Sequence, residues 1–210
     1  MLASASNVRE KMKRALAVAA VLAAMLTSSA AEAPLGPDDI QAGTYTIDTK
    51  ETLVRYSTIH MGINAFWGTF PGATGTLTID PKAVGDAKLD VTVPVATVET
   101  TNRELNGEFF SDEFFDAEKY RTMHFVSSGV VRTGPATAKV TGNLTIHGVT
   151  REVVLNVTFT GAGPNFFNKV ATIGFKGEAV VKRSDFGLGK FVPIVSDETT
   201  IDISAAFEKK

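Results

Sequence analysis

Long stretches of this chain alternate apolar and polar residues one for one, a period that belongs to β-strands with one buried face. Leu89, Val91, Val93 and Val95 alternate with Lys88, Asp90, Thr92 and Pro94. Val140, Leu144 and Ile146 alternate with Thr141, Asn143 and Thr145. Val153, Leu155, Val157 and Phe159 alternate with Val154, Asn156 and Thr158. The same period carries Ala171, Ile173, Phe175, Gly177, Ala179 and Val181, then Ile201, Ile203, Ala205 and Phe207. Val, Ile, Thr and Phe favour strands, and Gly, Pro, Asn and Asp punctuate them.

The expected strands cover 44–49, 52–60, 66–80, 86–99, 121–133, 136–147, 150–161 and 169–182, with a further run at 198–208. The first two could form one bent strand. The tight His147-Gly148-Val149-Thr150 connection makes 136–161 an antiparallel hairpin. Helix is scarce, and short helices are expected only at 102–106 and 112–120. One apolar face per strand means an antiparallel sheet packed on one side. Eight or nine such strands suit an up-and-down barrel or a sandwich. Ten strand residues span about 34 Å, or about 26 Å along the axis of a barrel with the usual tilt. Such a barrel encloses an elongated apolar space.

The first residues read differently. Arg9, Lys11, Lys13 and Arg14 precede an uncharged run of 12 apolar residues at 15–26, followed by Thr27-Ser28-Ser29-Ala30-Ala31-Glu32-Ala33. This is the pattern of a Sec signal peptide. Twelve helical residues rise only about 18 Å, short of a hydrocarbon core of about 30 Å, so a membrane anchor fits less well. Cleavage is expected after Ala31, because the alternative cut after Ala33 would leave Pro34 beside the scissile bond. Residues 1–31 are thus a leader, 32–43 a flexible Pro/Gly/Asp-rich lead-in, and 44–210 one domain. Periplasmic localisation follows as the expectation. Without the leader, 17 basic and 22 acidic residues remain, a net charge of −5. That balance disfavours nucleic acid as a partner. The chain has no Cys, which excludes disulfides, thiolate metal sites and a Cys nucleophile.

Catalytic constellations are weak. His60, His124 and His147 lack the short spacing of metal ligands. Ser57 and His60 are three residues apart and would face opposite sides of a strand. Glu104, Glu108, Asp112, Glu113, Asp116 and Glu118 crowd a polar crossover and read as a solvated rim. Gly187-Leu188-Gly189 is too short for a dinucleotide loop. No catalytic residue, metal or cofactor is expected.

Aromatic residues say more. The chain has 14 Phe against one Trp and three Tyr. Phe109-Phe110 and Phe114-Phe115 sit in a segment that is not clearly strand. They either plug the core or wall a pocket for an apolar ligand.

Several segments, in order, resemble a known family. They are Tyr45-Thr46-Ile47-Asp48, Val54 through Gly62, Trp67-Gly68-Thr69-Phe70 with Gly75-Thr76-Leu77, Phe114-Phe115-Asp116 with Tyr120, Val140 through Thr150, Arg183-Ser184-Asp185-Phe186-Gly187, and Val195-Ser196-Asp197-Glu198. Together they are similar to the YceI-like family. The resemblance implies an all-β fold: an extended, lipocalin-like antiparallel barrel of about eight strands with one or two short helices, usually periplasmic. It implies a cavity for amphiphiles with long apolar tails, polyisoprenoids or isoprenoid quinones, and no settled enzymatic activity. It also admits a homodimer. Two departures stand out: Glu108-Phe109-Phe110 replaces the family's usual His-Leu pair and basic residue, and Arg121 stands where Pro often follows the Tyr. A more aromatic, less basic entrance favours a neutral quinone or phenol over a pyrophosphate head.

The residues expected to contact such a ligand are His60, Phe70, Phe109, Phe110, Phe114, Phe115, Phe125, Ile173, Phe175 and Phe186. Three functions compete: an exported carrier of an isoprenoid or other long-chain lipid, an enzyme acting on that lipid, and a partner-binding barrel with a filled core. Each buried CH₂ contributes about 0.8 kcal/mol, so a tail of about ten carbons supplies about 8 kcal/mol before association costs.

Overall fold

The alternating runs become strands, and they break where Pro, Gly or a side chain bonded to its own backbone interrupts the ladder. The computed structural model describes residues 35–210. The expected leader at 1–31 lies outside the described residues. The strands are β1 (Gly43–Ile47), β2 (Leu53–His60), β3 (Asn64–Phe70), β4 (Thr74–Ile79), β5 (Lys88–Pro94), β6 (Glu99–Thr100), β7 (Thr122–Arg132), β8 (Thr137–Ile146), β9 (Val149–Pro164), β10 (Ala171–Lys182) and β11 (Val195–Lys209). Among the described residues one α-helix, α1 (Arg103–Phe109), lies between β6 and β7.

Eight strands close a barrel in the order β1-β4-β5-β7-β8-β9-β10-β11, with β11 returning to β1. Every pairing is antiparallel. The closing register pairs Tyr45 with Lys209 and Ile47 with Phe207. β11 is long enough to continue past this closure, where its earlier residues pair with β2, as in Ile203 with Val54 and Ile201 with Tyr56. β3 and β6 extend that wall outward. β1 and β2 therefore take successive parts of β11, but they are two strands rather than one bent strand. Between them the Asp48 carboxylate accepts from the Lys50 N–H at 2.9 Å, and its carbonyl accepts from the Glu51 N–H. This is an Asx-type turn.

Two more expected runs are divided. The run 66–80 breaks at Pro71-Gly72, where Pro71 has no N–H to donate and Gly72 takes φ +86°. The Thr97 hydroxyl donates to the Pro71 carbonyl at 2.6 Å. The run 86–99 ends at Pro94, and a 3₁₀ turn at Val95–Thr97 separates β5 from β6. The helix expected at 102–106 is α1, with Asn102 as its N-cap, accepting from the N–H groups of Glu104 and Leu105. The second expected helix, 112–120, is a series of turns. Asp116 adopts φ +45° within it, so helical bonding cannot propagate through that residue.

The β8–β9 hairpin forms as the sequence indicates. His147 and Gly148 both take positive φ, 51° and 73°, between the paired Ile146 and Val149. The described part of the lead-in, expected to be loosely held, is packed from Leu35 onward. The Leu35 N–H donates to the Ala162 carbonyl, Asp38 pairs with Arg132 at 2.9 Å, and Ile40 is buried.

Two buried clusters fill the interior. Ile40, Tyr45, Leu77, Ile173 and Phe207 form the smaller, beside the lead-in. The larger joins Phe70, Val95, Phe125, Leu155, Ala179, Phe186 and Leu188, and Phe109 and Phe115 pack on it.

Candidate functional site

Between the two clusters the inward side chains do not meet. Ile47 and Val54 from β1 and β2, Leu77 and Ile79 from β4, and Leu89, Val91 and Val93 from β5 line one part of the wall. Phe125 from β7, Val140 and Leu144 from β8, Leu155 and Val157 from β9, Phe175 and Gly177 from β10, and Ile201, Ile203, Ala205 and Phe207 from β11 complete it. They enclose a cavity of about 210 Å³. An apolar cavity of about 150 Å³ stays dry and accepts benzene, so this space suits hydrocarbon. It is smaller than the roughly 300 Å³ at which ordinary ligand pockets begin.

The lead-in end is closed by its cluster. The Tyr45 hydroxyl donates to the Gln41 carbonyl at 2.6 Å, and burial raises its pKa. A smaller space of about 60 Å³ adjoins, bordered by Asp38, Ile40, Arg132, Pro135 and Phe175.

The other end carries an aromatic cap. Phe109 meets Phe114 at 5.3 Å and Phe115 at 5.9 Å, edge to face, and Phe115 meets Phe70 at 5.8 Å. Edge-to-face contact is the favoured geometry for such rings. α1 and its following turns place them, with the Phe115 N–H donating to the Phe109 carbonyl. Outside the cap, the Lys190 ammonium stands 5.0 Å above Phe114 and 5.0 Å above Phe191, and pairs with Glu113. The Arg183 guanidinium braces the adjoining loop by donating to the carbonyls of Leu188, Lys190, Val195 and Ser196. Burial lowers its pKa.

Of the residues singled out from sequence, Phe125 and Phe175 line the cavity. Phe70, Phe109, Phe114 and Phe115 belong to the cap. Phe186, 1% exposed, is core beside the cap, and Ile173, 2% exposed, is sealed in the lead-in cluster. His60 lies off the cavity, at the end of β2 against Phe66, and Phe110 is exposed over a shallow surface depression. His124 bonds Asp90 at 2.8 Å on the surface, and His147 packs on Tyr120. Among the described residues no group of three or more His, Asp or Glu could hold a metal ion. Ser57 faces away from the interior, between Thr200 and Trp67 in register.

Most of the lining is aliphatic, whereas the ligand contacts expected from sequence are mostly aromatic. Its signal was the alternation itself, since Leu89, Val91, Leu144, Val157, Ile201 and Ile203 all stand on the apolar face of their runs. Tyr56 had no such signal. Its ring faces inward against Phe70 and Phe109, and its buried hydroxyl has no hydrogen-bond partner. Burial pushes its pKa far up. The Thr199 hydroxyl is also buried without a partner.

Comparison with known proteins places this barrel in context. The model of the YceI-like domain matches residues 45–207. A UPF0312 protein of Pseudomonas savastanoi pv. phaseolicola is 32% identical over 199 residues, covering 94% of this chain and 97% of its own. The crystal structure of BcnA from Burkholderia cenocepacia aligns with TM-score 0.69 at 27% identity, over 76% of this chain and 98% of that one. A polyisoprenoid binding domain from Saccharophagus degradans, implicated in plant cell wall breakdown, aligns with TM-score 0.57 over 81% of this chain and all of its own. At 15% identity it shares the fold alone. With its barrel, its ordered motifs and a match across nearly the whole described domain, the chain belongs to the YceI-like domain family.

Proposed function

We propose that this protein is exported to the periplasm and carries a long-tailed amphiphile of the polyisoprenoid or isoprenoid quinone type in its barrel. The cavity of about 210 Å³ with its aliphatic wall carries the reading. Burial of hydrocarbon there needs no catalytic group, and selectivity falls to the cavity's length and to the polar atoms at its ends. The description of the Saccharophagus domain as polyisoprenoid binding supports the same ligand class. A neutral head group is favoured over a pyrophosphate. The cations near the cap are engaged, Arg183 by four backbone carbonyls and Lys190 by Glu113.

Native mass spectrometry of protein isolated from the periplasm, followed by organic extraction, tests this. The expected protein begins at Glu32 and releases a long-chain lipid. A retained leader in the membrane fraction would refute export. A compact protein that neither retains lipid nor takes it up would refute the carrier role, and conversion of the lipid would point to an enzyme.

A further inference from the structure

At the cap end of the barrel two loops hold apolar side chains out in water. The β2–β3 turn presents Met61 and Ile63, with Ile59 behind them on β2. The loop leading into β11 presents Phe191, Val192 and Ile194. Ile63 is 78% exposed and Ile194 61%. The two loops form one surface. The Met61 N–H donates to the Ile194 carbonyl at 2.7 Å, and Val195 pairs with His60 in register. Phe191 stands 6.2 Å from Phe114, so the surface continues into the aromatic cap. Scattered exposed apolar residues are ordinary, but a contiguous group marks a contact surface.

The loops are braced in this exposed arrangement. The Ile63 N–H donates to the His60 carbonyl at 3.0 Å, with Met61 and Gly62 at φ 53° and 69°. The Val195 N–H donates to the Phe191 carbonyl at 2.9 Å, and Arg183 holds the carbonyls of Lys190 and Val195. What covers such a surface is indicated by the order of residues behind it. Trp67, exposed on the outer face of β3, lies four residues back from Ile63, about 13 Å along the strand. The Arg55 guanidinium stands 5.4 Å from the Trp67 ring centre. No Asp or Glu occurs at 52–79 or 186–196, although the chain holds 23 and has a net charge of −2. An apolar tip, then Trp with Arg, follows the layers of a bilayer from hydrocarbon to interface. A protein–protein contact instead has an apolar centre ringed by polar residues.

We propose that the β2–β3 turn and the loop 191–194 dock the protein on a phospholipid bilayer, with their apolar side chains in the acyl boundary and Trp67 at the head-group level. Freedom from carboxylates spares the surface repulsion by anionic lipid. A second exposed pair, Phe166 and Phe167, lies on the β9–β10 turn beside the lead-in, where the rings pack on each other at 5.4 Å. It has no comparable succession of layers behind it. The inference concerns the outer surface and stands whatever the cavity holds. On the carrier reading, the docked end is the one the aromatic cap closes.

Trp67 is the only Trp of the chain, so its fluorescence reports the site directly. Wild type is mixed with vesicles of phosphatidylcholine and phosphatidylglycerol, with and without brominated acyl chains. The emission is expected to shift to the blue, to be quenched by the brominated lipid, and the protein to float with the vesicles. Ile63→Ser with Ile194→Ser should lower vesicle partitioning by about tenfold or more, because two apolar side chains no longer leave water. Both positions are exposed, so melting should stay near that of wild type. Ile63→Asp alone, at the tip of the turn, should also weaken binding. Phe167→Ser should leave the Trp67 response unchanged. All these chains share one N-terminus, so binding through that end would affect them alike. Equal partitioning of wild type and the Ile63 variants overturns the proposal, as does loss of binding in Phe167→Ser alone. An unquenched Trp67, or a blue shift that follows protein concentration without vesicles, also overturns it, the latter assigning the surface to a second copy of the chain. None of these outcomes depends on cargo, which extraction of the purified protein tests separately.

Discussion

The ring of Phe125 on β7 packs over Gly142 on β8, and a Cβ on that glycine would fall 2.4 Å from the Phe125 Cζ. It would also approach the Val126 carbonyl oxygen to 2.6 Å. The absent side chain leaves the space that the Phe125 ring occupies beside the cavity it lines. Gly142→Ala is expected to destabilise the protein by about 1–3 kcal/mol, the usual range for overpacking, and to reduce lipid uptake as Phe125 swings inward. Gly163→Ala on β9, where a Cβ meets nothing within 4 Å, should shift stability by no more than about 0.5 kcal/mol. Chemical denaturation of the two variants decides it. Equal effects would show that the Gly142 contact is relieved elsewhere.

On the carrier proposal, the cap is expected to limit the length of tail that fits. Phe115 touches both Phe70 and Phe109 and is half-buried. Phe115→Ala should cost about 2–3 kcal/mol, less than the roughly 3–5 kcal/mol of a fully buried Phe. It should also extend the cavity toward the solvent. Competition between fatty alcohols of increasing length, read by native mass spectrometry, should favour longer chains in the variant than in wild type. An unchanged length preference would mean that tails stop short of the cap.

The fold class was legible because alternation reports facing directly. Lys176 and Glu178 are exposed and Ile173 and Phe175 turn inward, as their period requires. Alternation does not report position along the barrel axis. Ile173 and Phe175 share a face two residues apart, yet one is sealed among Ile40, Tyr45 and Phe207 and the other borders the cavity. Nor does it show which inward residues fail to meet, since that depends on strands distant in sequence. The breaks at Pro71-Gly72 and Pro94 were visible as residues but hidden inside runs whose period continues across them. Tyr56 carried no such signal, because an unpartnered oxygen is a property of its surroundings.

Position along the axis separates three substitutions on β10. Phe175→Glu puts a carboxylate against Ile79, Val157 and Phe207. A charge buried without a partner costs several kcal/mol unless it neutralises or reaches water. Lipid co-purification should be lost. Ile173→Ala removes a sealed side chain outside the cavity wall and should cost about 2–5 kcal/mol while leaving lipid content per folded protein nearly intact. Lys176→Glu, on the outer face, should change neither. Extractable lipid, normalised to the folded fraction by circular dichroism, separates the three. Loss of lipid in Lys176→Glu with retention in Phe175→Glu would invert the facing of the strand.

The loop that braces the cap should respond to acid. The Ser184 hydroxyl and N–H donate to the Asp197 carboxylate at 2.7 and 2.9 Å, tying the turn Arg183–Phe186 to the start of β11. These bonds, the hydroxyl's first, hold the Asp197 pKa below the ordinary carboxylate value, with Arg183 and Lys182 adding smaller contributions. A carboxylate whose folded pKa lies below its unfolded one stabilises the fold fully above the unfolded value of about 3.9. That contribution fades as pH falls through the folded value, because both states then hold the proton. Asp197→Ala should therefore melt below wild type at neutral pH, and the gap should narrow as the pH drops below about 4. Solvent around the carboxylate keeps the effect modest. Because the same turn buries Phe186 against the larger cluster, the variant should also release bound lipid faster at neutral pH. Thermal melts across pH 2–7 and lipid-exchange rates at pH 7 provide the check. A gap that stays constant or widens toward acid would assign the role of Asp197 to packing rather than to its charge.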